Sequence, residues 1–147
     1  MCDFVQFFVA GVAVPQGSSR AFMVKGKPII TSSNRNLSAW RERIAHEAQA
    51  KQDQCSFYKE GKFAYTVEAN FIFPRTKSMG KKNIRHTVRP DADKCSRAVG
   101  DSITGILIPD DAQIDEWKVT KEYLDFLGDS RSPGVTIYVE RKPLDVF

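Results

Sequence analysis

The chain has 147 residues and a formal net charge of +4, and 41% of its residues are hydrophobic, 11% aromatic and 27% charged. This length predicts a single domain, and the composition is that of a globular protein rather than a disordered one. No apolar run approaches the roughly 20 residues of a membrane-spanning helix. The start of the chain carries Asp3 and lacks a basic leader, so we expect neither a membrane span nor a secretion signal.

The first half of the chain predicts three strands and one helix. Alternating apolar residues at 5–9 indicate a strand, and the stretches 21–24 and 29–31 flank a Lys-Gly-Lys turn typical of a hairpin. The polar cluster at 32–34 offers a helix start. Apolar residues at the i, i+3, i+4 spacing then predict a helix over 37–48.

The second half of the chain predicts, in order, one strand, one helix and two further strands. Residues 63–73 alternate well, with apolar residues at the odd positions and Thr66, Glu68 and Asn70 opposite, which is typical of a long, half-buried strand. A helix is expected over 91–107, and strands over 115–123 and 135–140. The order β-β-β-α-β-α-β-β predicts an α+β domain with a mixed sheet and two main helices packed on one face.

Charge is unevenly distributed between two neighbouring segments. Residues 75–97 carry eight Lys or Arg against two acids, whereas residues 101–125 carry seven acids against two lysines. This polarity favours a surface for a polyanion beside a surface for cations. A solvated loop beside an exposed acidic stretch is the alternative.

The cysteines and histidines limit which metal the chain could hold. Cys2, Cys55 and Cys95 are far apart, as are His46 and His86. This spacing fits neither a disulfide framework nor a zinc site, and it favours a reducing, cytosolic compartment. Any metal would therefore be held by carboxylates, which select Mg²⁺ or Mn²⁺.

Two acidic clusters flank the second predicted helix. Asp91 and Asp93 stand at its start, where helix capping is the alternative role, and Asp110 and Asp111 follow it, where a type I turn is the alternative. Adjacent carboxylates repel each other unless a cation neutralises them. A straight helix would separate the clusters by about 25 Å. They converge only if the helix is shorter or the chain folds back after Gly105.

The run 89–114 carries four short motifs: Pro90-Asp91-Ala92-Asp93, the basic Arg97, Asp101-Ser102-Ile103-Thr104-Gly105 and Asp110-Asp111-Ala112-Gln113. In this order they resemble the RusA family of Holliday junction resolvases, especially its phage and prophage members. Lys121 matches a lysine of the family, and the segment 11–20 is similar to its Pro-rich basic segment. The matches span most of the chain in the order of the family.

Some positions depart from the family pattern. Lys94 stands where asparagine is common, Arg97 stands at the position of a catalytic lysine, and Gln16 and Ser18 replace residues that are often basic. Arginine keeps its proton at physiological pH, so Arg97 could not donate one. It could still bind phosphate oxygens electrostatically.

The resemblance implies an endonuclease, dependent on Mg²⁺ with Mn²⁺ as a possible substitute, that resolves four-way DNA junctions by paired symmetric nicks. It also implies a homodimer in the cytoplasm of a bacterial host, encoded by a phage or prophage. The implied catalytic residues are Asp91, Asp93, Arg97, Asp111 and Lys121. The implied metal ligands are Asp91, Asp93, Asp110 and Asp111. The basic residues expected to contact DNA are Arg20, Arg75, Lys77, Lys81, Lys82, Arg85, Arg89 and Lys94.

Two other functions stay open from the sequence. The replaced family positions would suit a branched-DNA-binding protein without catalysis, and the aspartates would also suit a metal-dependent nucleotide or pyrophosphate hydrolase. Arg97 could serve only in an i, i+4 ladder with neighbouring aspartates, and Lys121 could be an ordinary edge-strand lysine. Trp40 and Trp117 are expected in the core.

Overall fold

The computed structural model describes residues 3–17, 20–31, 36–79, 85–125 and 131–145. Within these ranges the order of helices and strands is the predicted one. The elements are β1 Phe4–Ala10, β2 Arg20–Val24, β3 Lys27–Thr31, α1 Leu37–Cys55, β4 Ala64–Phe73, α2 Ala92–Ile103, β5 Ile114–Tyr123 and β6 Gly134–Lys142, with short 3-10 turns at Lys77–Met79 and Asp111–Gln113.

A mixed four-stranded sheet of order β1-β6-β4-β5 forms the centre of the fold. β6 runs antiparallel to both of its neighbours, whereas β4 and β5 are parallel. A parallel pair needs a crossover connection, and α2 lies within the one that joins β4 to β5. β2 and β3 form a separate hairpin. The predicted α+β class and mixed sheet are confirmed.

The two helices pack beside each other over one face of the sheet. α1 contacts α2 and β1, and α2 contacts β5. The buried residues of α1 are Leu37, Trp40, Ile44 and Ala48, which follow the predicted spacing. The predicted helix start at 32–34 lies outside the described residues. In that described part of the chain, no helix is both long and apolar enough to cross a membrane.

The second helix ends earlier than predicted. The prediction of a helix to residue 107 is wrong, because α2 ends at Ile103 and Thr104 is already extended. Gly105 follows with φ of +85°, and its backbone N–H donates to the carbonyl of Ile108 at 2.7 Å. Leu107 and Ile108 therefore enter the core from a turn rather than from a helix. This turn returns the chain towards the last turn of α2 before β5 begins.

The register of the sheet places functional candidates at the margin of the core. Val9, Val135 and Phe71 are buried neighbours in one row across the sheet, and Lys121 of β5 continues that row. Lys121 thus lies on the helix-facing side of an edge strand, as the alternation of β5 predicts. Because β5 is at the edge, its inward side chains reach α2 and the segment before it rather than the deep core.

Candidate active site at the two ends of helix α2

Asp91 and Asp93 lie on the surface at the amino-terminal end of α2. Asp91 takes the capping position, but its side chain makes no capping hydrogen bond. Its carboxylate lies 3.6 Å from the ammonium of Lys94, and that of Asp93 lies 3.9 Å from the guanidinium of Arg97. Exposed pairs of this kind contribute at most about 1 kcal/mol. Both carboxylates are therefore only weakly engaged within the chain.

Lys121 forms hydrogen bonds with the segment that leads into Asp91. Its ammonium donates to the backbone carbonyl of Val88 at 2.9 Å and to that of Pro90 at 2.7 Å. The backbone carbonyl of Lys121 accepts a further bond from the N–H of His86 at 3.1 Å. Two of the three ammonium donors are thus committed to the backbone. The contacts of Lys121 are those of a residue that positions the start of α2.

A second cluster surrounds a cavity of about 330 Å³ that runs along the side of α2 from Ser96 towards its carboxyl-terminal end. Its walls are formed by Gln16, Ser96, Arg97, Gly100, Asp101, Asp111 and Trp117. Gln16 comes from the segment after β1, where its backbone N–H donates to the carbonyl of Lys94 at 3.0 Å. Its side-chain amide donates to the carboxylate of Asp101. Among the described residues, the Oε1 atom of Gln16 is buried without a hydrogen-bond partner.

Asp110 and Asp111 begin the 3-10 turn that leads into β5. Asp110 caps this turn, since its carboxylate accepts a hydrogen bond from the N–H of Ala112 at 2.9 Å. The turn role predicted as the alternative is therefore present for Asp110. Partial burial, a side-chain hydrogen bond with Asp110 and the nearby charges of Asp101 and Asp110 raise the pKa of Asp111. The neighbourhood of Asp111 consequently disfavours its negative charge unless a cation is present.

The structure brings Asp111 beside Asp101 and leaves Asp91 and Asp93 at the opposite end of α2. Asp91 precedes Asp101 by ten residues, which corresponds to about 15 Å along a helix. No group of three or more His, Cys, Asp or Glu side chains within the described ranges is placed to hold a metal ion. Arg97 stands between the two ends, because it pairs with Asp93 and also lines the cavity of Asp111.

The donor atoms of the acidic cavity suit a hard divalent cation. Carboxylate oxygens of Asp101 and Asp111 and the unpaired amide oxygen of Gln16 are the ligand types that Mg²⁺ prefers. Mg²⁺ is usually bound through one or two carboxylates together with waters and substrate phosphates, and not through a cage made only of protein groups. The residues present therefore fit such an ion without a preformed set of three carboxylates.

The predicted DNA-contacting residues have different environments. Arg85 and Arg89 are exposed on the segment before α2, and Lys94 is exposed beside Asp91. Arg75 is instead half-buried, with its guanidinium 5.8 Å from the ring centroid of Tyr123. The other four predicted DNA-contacting residues have side chains outside the described part of the chain; they are Arg20, Lys77, Lys81 and Lys82.

Trp117 does not belong to the core, contrary to its prediction. It is 39% exposed, whereas Trp40 is buried at 3%, as predicted. Trp117 lies on an edge strand, and its ring approaches α2 at Gly100, where an added Cβ would lie only 3.3 Å from it. The indole can lie over the helix because Gly100 has no side chain, and it forms one wall of the acidic cavity.

The sequence did not identify Asp101 and Gln16 as site residues. Asp101 carries a signal, since it lies four residues after Arg97 and matches an aspartate of the family motif. Gln16 lies in the segment 11–20 that is similar to the family, but its bond to Asp101 was not predictable because the two residues are 85 positions apart.

One known protein family matches most of the chain. The family model described as endodeoxyribonuclease RusA matches residues 12–140. The match includes the segment that carries Gln16, both ends of α2, strands β4 and β5 and most of β6. Individual curated proteins give no significant match. Because the matched region covers nearly the whole chain, the chain belongs to the RusA endodeoxyribonuclease family.

Proposed function

We propose that the chain is a Mg²⁺-dependent endonuclease that resolves four-way DNA junctions by two symmetric nicks. The family match over residues 12–140 carries this proposal. The raised pKa of Asp111 supports it, because carboxylates that repel one another form a place for a cation. A four-way junction has near twofold symmetry, so a twofold homodimer with one site in each subunit would meet its two equivalent strands.

In this proposal Asp91 and Asp93 hold Mg²⁺ at the start of α2, and Asp111, supported by Asp110, holds a second ion at the other end, with Mn²⁺ as a substitute. One ion cannot bridge the two ends, because about 15 Å of helix separates them. The bound ion would lower the pKa of a water molecule and stabilise negative charge on the phosphate. Asp110 keeps the turn before β5 in place through its bond to Ala112. The weak pairing of Asp91 and Asp93 within the chain leaves their oxygens accessible for this role.

Arg97 and Lys121 have separate tasks in the proposal. Arg97 lies between the two acidic ends of α2, where its permanent positive charge would bind oxygens of the phosphate that is cut. It would not protonate the leaving group, because an arginine guanidinium does not give up its proton in proteins. Lys121 acts as a positioning residue, since its bonds to Val88 and Pro90 fix the backbone immediately before Asp91.

The exposed Arg85 and Arg89 would contact the DNA backbone close to Asp91. Contacts between cationic side chains and phosphates are independent of sequence, and they weaken as salt displaces the protein from DNA. We therefore expect junction affinity to fall steeply with ionic strength, and selection of the junction to come from its shape.

A labelled four-way junction and a linear duplex of the same sequence test the proposal. Wild type should nick only the junction, and only with Mg²⁺. Asp93→Asn should bind the junction as wild type does, while its cleavage falls by about 100-fold or more through loss of a metal ligand. Asp115→Asn is the matched control, because Asp115 pairs with Lys142 away from the acidic cavity. It should cleave normally.

Equal cleavage by Asp93→Asn and wild type would contradict the proposal. Junction binding without cleavage by wild type would favour a branched-DNA-binding protein. Hydrolysis of nucleotides or pyrophosphate, inhibited by neither DNA substrate, would favour the metal-dependent hydrolase.

A further inference from the structure

A second cavity, of about 520 Å³, lies beside the amino-terminal end of α2. One side of the cavity is formed by Ala13 and by Phe73, the last residue of β4, and another side is formed by the segment 85–90. Its volume falls in the range of roughly 300–1,000 Å³ that is typical of small-ligand pockets. Pro90 lines the cavity and is followed directly by Asp91. The proposed catalytic groups make no use of this space.

The cavity has an aromatic wall that contains an unpaired polar atom. The ring of His86 lies 4.0 Å from that of Phe73 and 4.8 Å from that of Tyr123, measured between centroids. His86 is only 7% exposed, and among the described residues its Nδ1 atom is buried without a hydrogen-bond partner. Burial and the nearby charge of Lys121 lower the pKa of His86, so its ring is neutral at pH 7. A small shift of this neutral ring would expose the nitrogen, which could then form a hydrogen bond with a ligand in the cavity.

The rim of this cavity is positively charged. Arg85 and Arg89 line it and are exposed, and none of its described lining residues is acidic. Lys121 holds the same segment through the carbonyls of Val88 and Pro90, so the arginines project from backbone that is fixed. Arginine at such a rim is suited to phosphate oxygens. The charge of the rim therefore complements a nucleic acid strand.

These features suit the binding of a single nucleobase that remains part of a DNA strand. Unstacked bases are recognised by aromatic surfaces and by hydrogen bonds to their edges, and an unpaired imidazole nitrogen supplies such a bond. Enzymes that take a base out of the stack hold it in a pocket of the protein. The connection from Pro90 to Asp91 would place that base next to the phosphate that is cut.

We propose that the His86 cavity accepts one unstacked base of the branched DNA beside the cleavage site. The inference rests on the proposed function, since it takes the branched DNA as the ligand. The base would shift the ring of His86 slightly and form a hydrogen bond with its buried ring nitrogen, while Arg85 and Arg89 contact the flanking phosphates. Cleavage would then depend on the ease with which the bases at the branch point leave the stack.

The test uses four-way junctions that carry 2-aminopurine, in turn, at each position around the branch point, bound in EDTA so that no cleavage occurs. 2-Aminopurine fluoresces more strongly when it leaves the base stack. Wild type should raise the fluorescence severalfold at one position, relative to its neighbours and to a linear duplex. Val12→Phe should abolish this rise while keeping junction affinity, because Val12 lines the cavity and is 55% exposed, so a larger side chain can be accommodated.

Two further variants separate the pocket from general effects. Leu144→Phe is the matched control, since Leu144 is 58% exposed and lies outside the cavity, and it should behave as wild type. His86→Phe preserves ring packing on Phe73 and Tyr123 but removes the ring nitrogens, so the rise should shrink without loss of the thermal unfolding transition. A fluorescence rise at no position, or an unchanged rise in Val12→Phe, would overturn the inference while junction cleavage still supported the proposed function. Failure of wild type to bind the junction would overturn both.

Discussion

Replacement of Asp111 by Asn should stabilise the protein in the absence of divalent cations. The carboxylate of Asp111 is partly buried and lies near those of Asp101 and Asp110, and these surroundings raise its pKa. Asparagine has nearly the same shape and carries no charge. The substitution therefore removes repulsion that the wild-type protein bears at neutral pH.

The direction of this stability change and its pH range follow from the linkage between proton binding and folding. The pKa of Asp111 is raised above its ordinary value of 3.8, so the folded state holds the proton more tightly than the unfolded state. The stability that this proton confers is complete below pH 3.8 and is lost as the pH rises through the folded pKa. Because the side chain is only slightly buried and water still screens its charge, we expect a gain of only about 0.5 kcal/mol for Asp111→Asn at pH 7. This corresponds to about 1–2 °C in the unfolding temperature, and the gain should vanish below pH 3.8.

Magnesium should reverse the order of the two proteins. An ion that binds only the folded state, at tenfold excess over its dissociation constant, stabilises by about 1.4 kcal/mol. Wild type should thus gain about 3–6 °C. Asp111→Asn should gain much less, because it lacks a proposed ligand. The variant is then the more stable protein in EDTA and the less stable one in Mg²⁺.

Thermal unfolding at pH 7, in EDTA and across a Mg²⁺ series, measures this reversal. Asp115→Asn serves as the control, because Asp115 accepts a hydrogen bond from Lys142 at 2.8 Å and its loss cannot relieve repulsion at Asp111. That control should be slightly destabilised in EDTA and should respond to Mg²⁺ as wild type does. An equal Mg²⁺ response in Asp111→Asn and wild type would refute the reasoning about the cation.

Three further substitutions test the packing and the site, each by urea-induced unfolding. Gly134→Ala should lose about 3 kcal/mol of unfolding free energy, because its Cβ would lie 2.2 Å from a backbone oxygen of β1; a change below 1 kcal/mol would contradict that contact. Gly100→Ala should be neutral or gain up to about 1 kcal/mol, since alanine favours helix and the exposed ring of Trp117 can shift; a large loss would show that the ring is fixed. Lys121→Met should lose about 1–2 kcal/mol with its two backbone bonds, and its junction cleavage should fall at unchanged junction affinity; normal cleavage would contradict the positioning role.

Local pattern was enough to predict most of the fold. The burial of strand β4 follows period two from Ala64 to Phe71, and only Ile72 is buried against this pattern. The spacing of Leu37, Trp40 and Ile44 gives the buried stripe of α1. The end of α2 was not predictable in this way. Leu107 continues the apolar helical pattern and is buried, but it reaches the core through the turn at Gly105. Periodicity reports that a residue is buried and does not report the backbone path that buries it.

The candidate site was predictable in its residue types and only partly in its arrangement. The resemblance supplied Asp91, Asp93 and Asp111, but the position of Asp111 beside Asp101 depends on the turn after α2. The partners of Lys121 are backbone carbonyls 33 and 31 residues away, which carry no side-chain signal. Contacts of this range arise from the parallel pairing of β4 with β5 and from the crossover that contains α2.

The most direct test of junction resolution uses a supercoiled plasmid that extrudes a cruciform, cut by the wild-type protein in Mg²⁺. Paired nicks made within one complex convert this plasmid directly to the linear form. We predict that the wild-type protein gives linear product without accumulation of nicked circles. We predict no linear product from Asp93→Asn, and no linear product from a plasmid that lacks the inverted repeat. Accumulation of nicked circles, or equal cutting of the plasmid without the repeat, would contradict junction resolution.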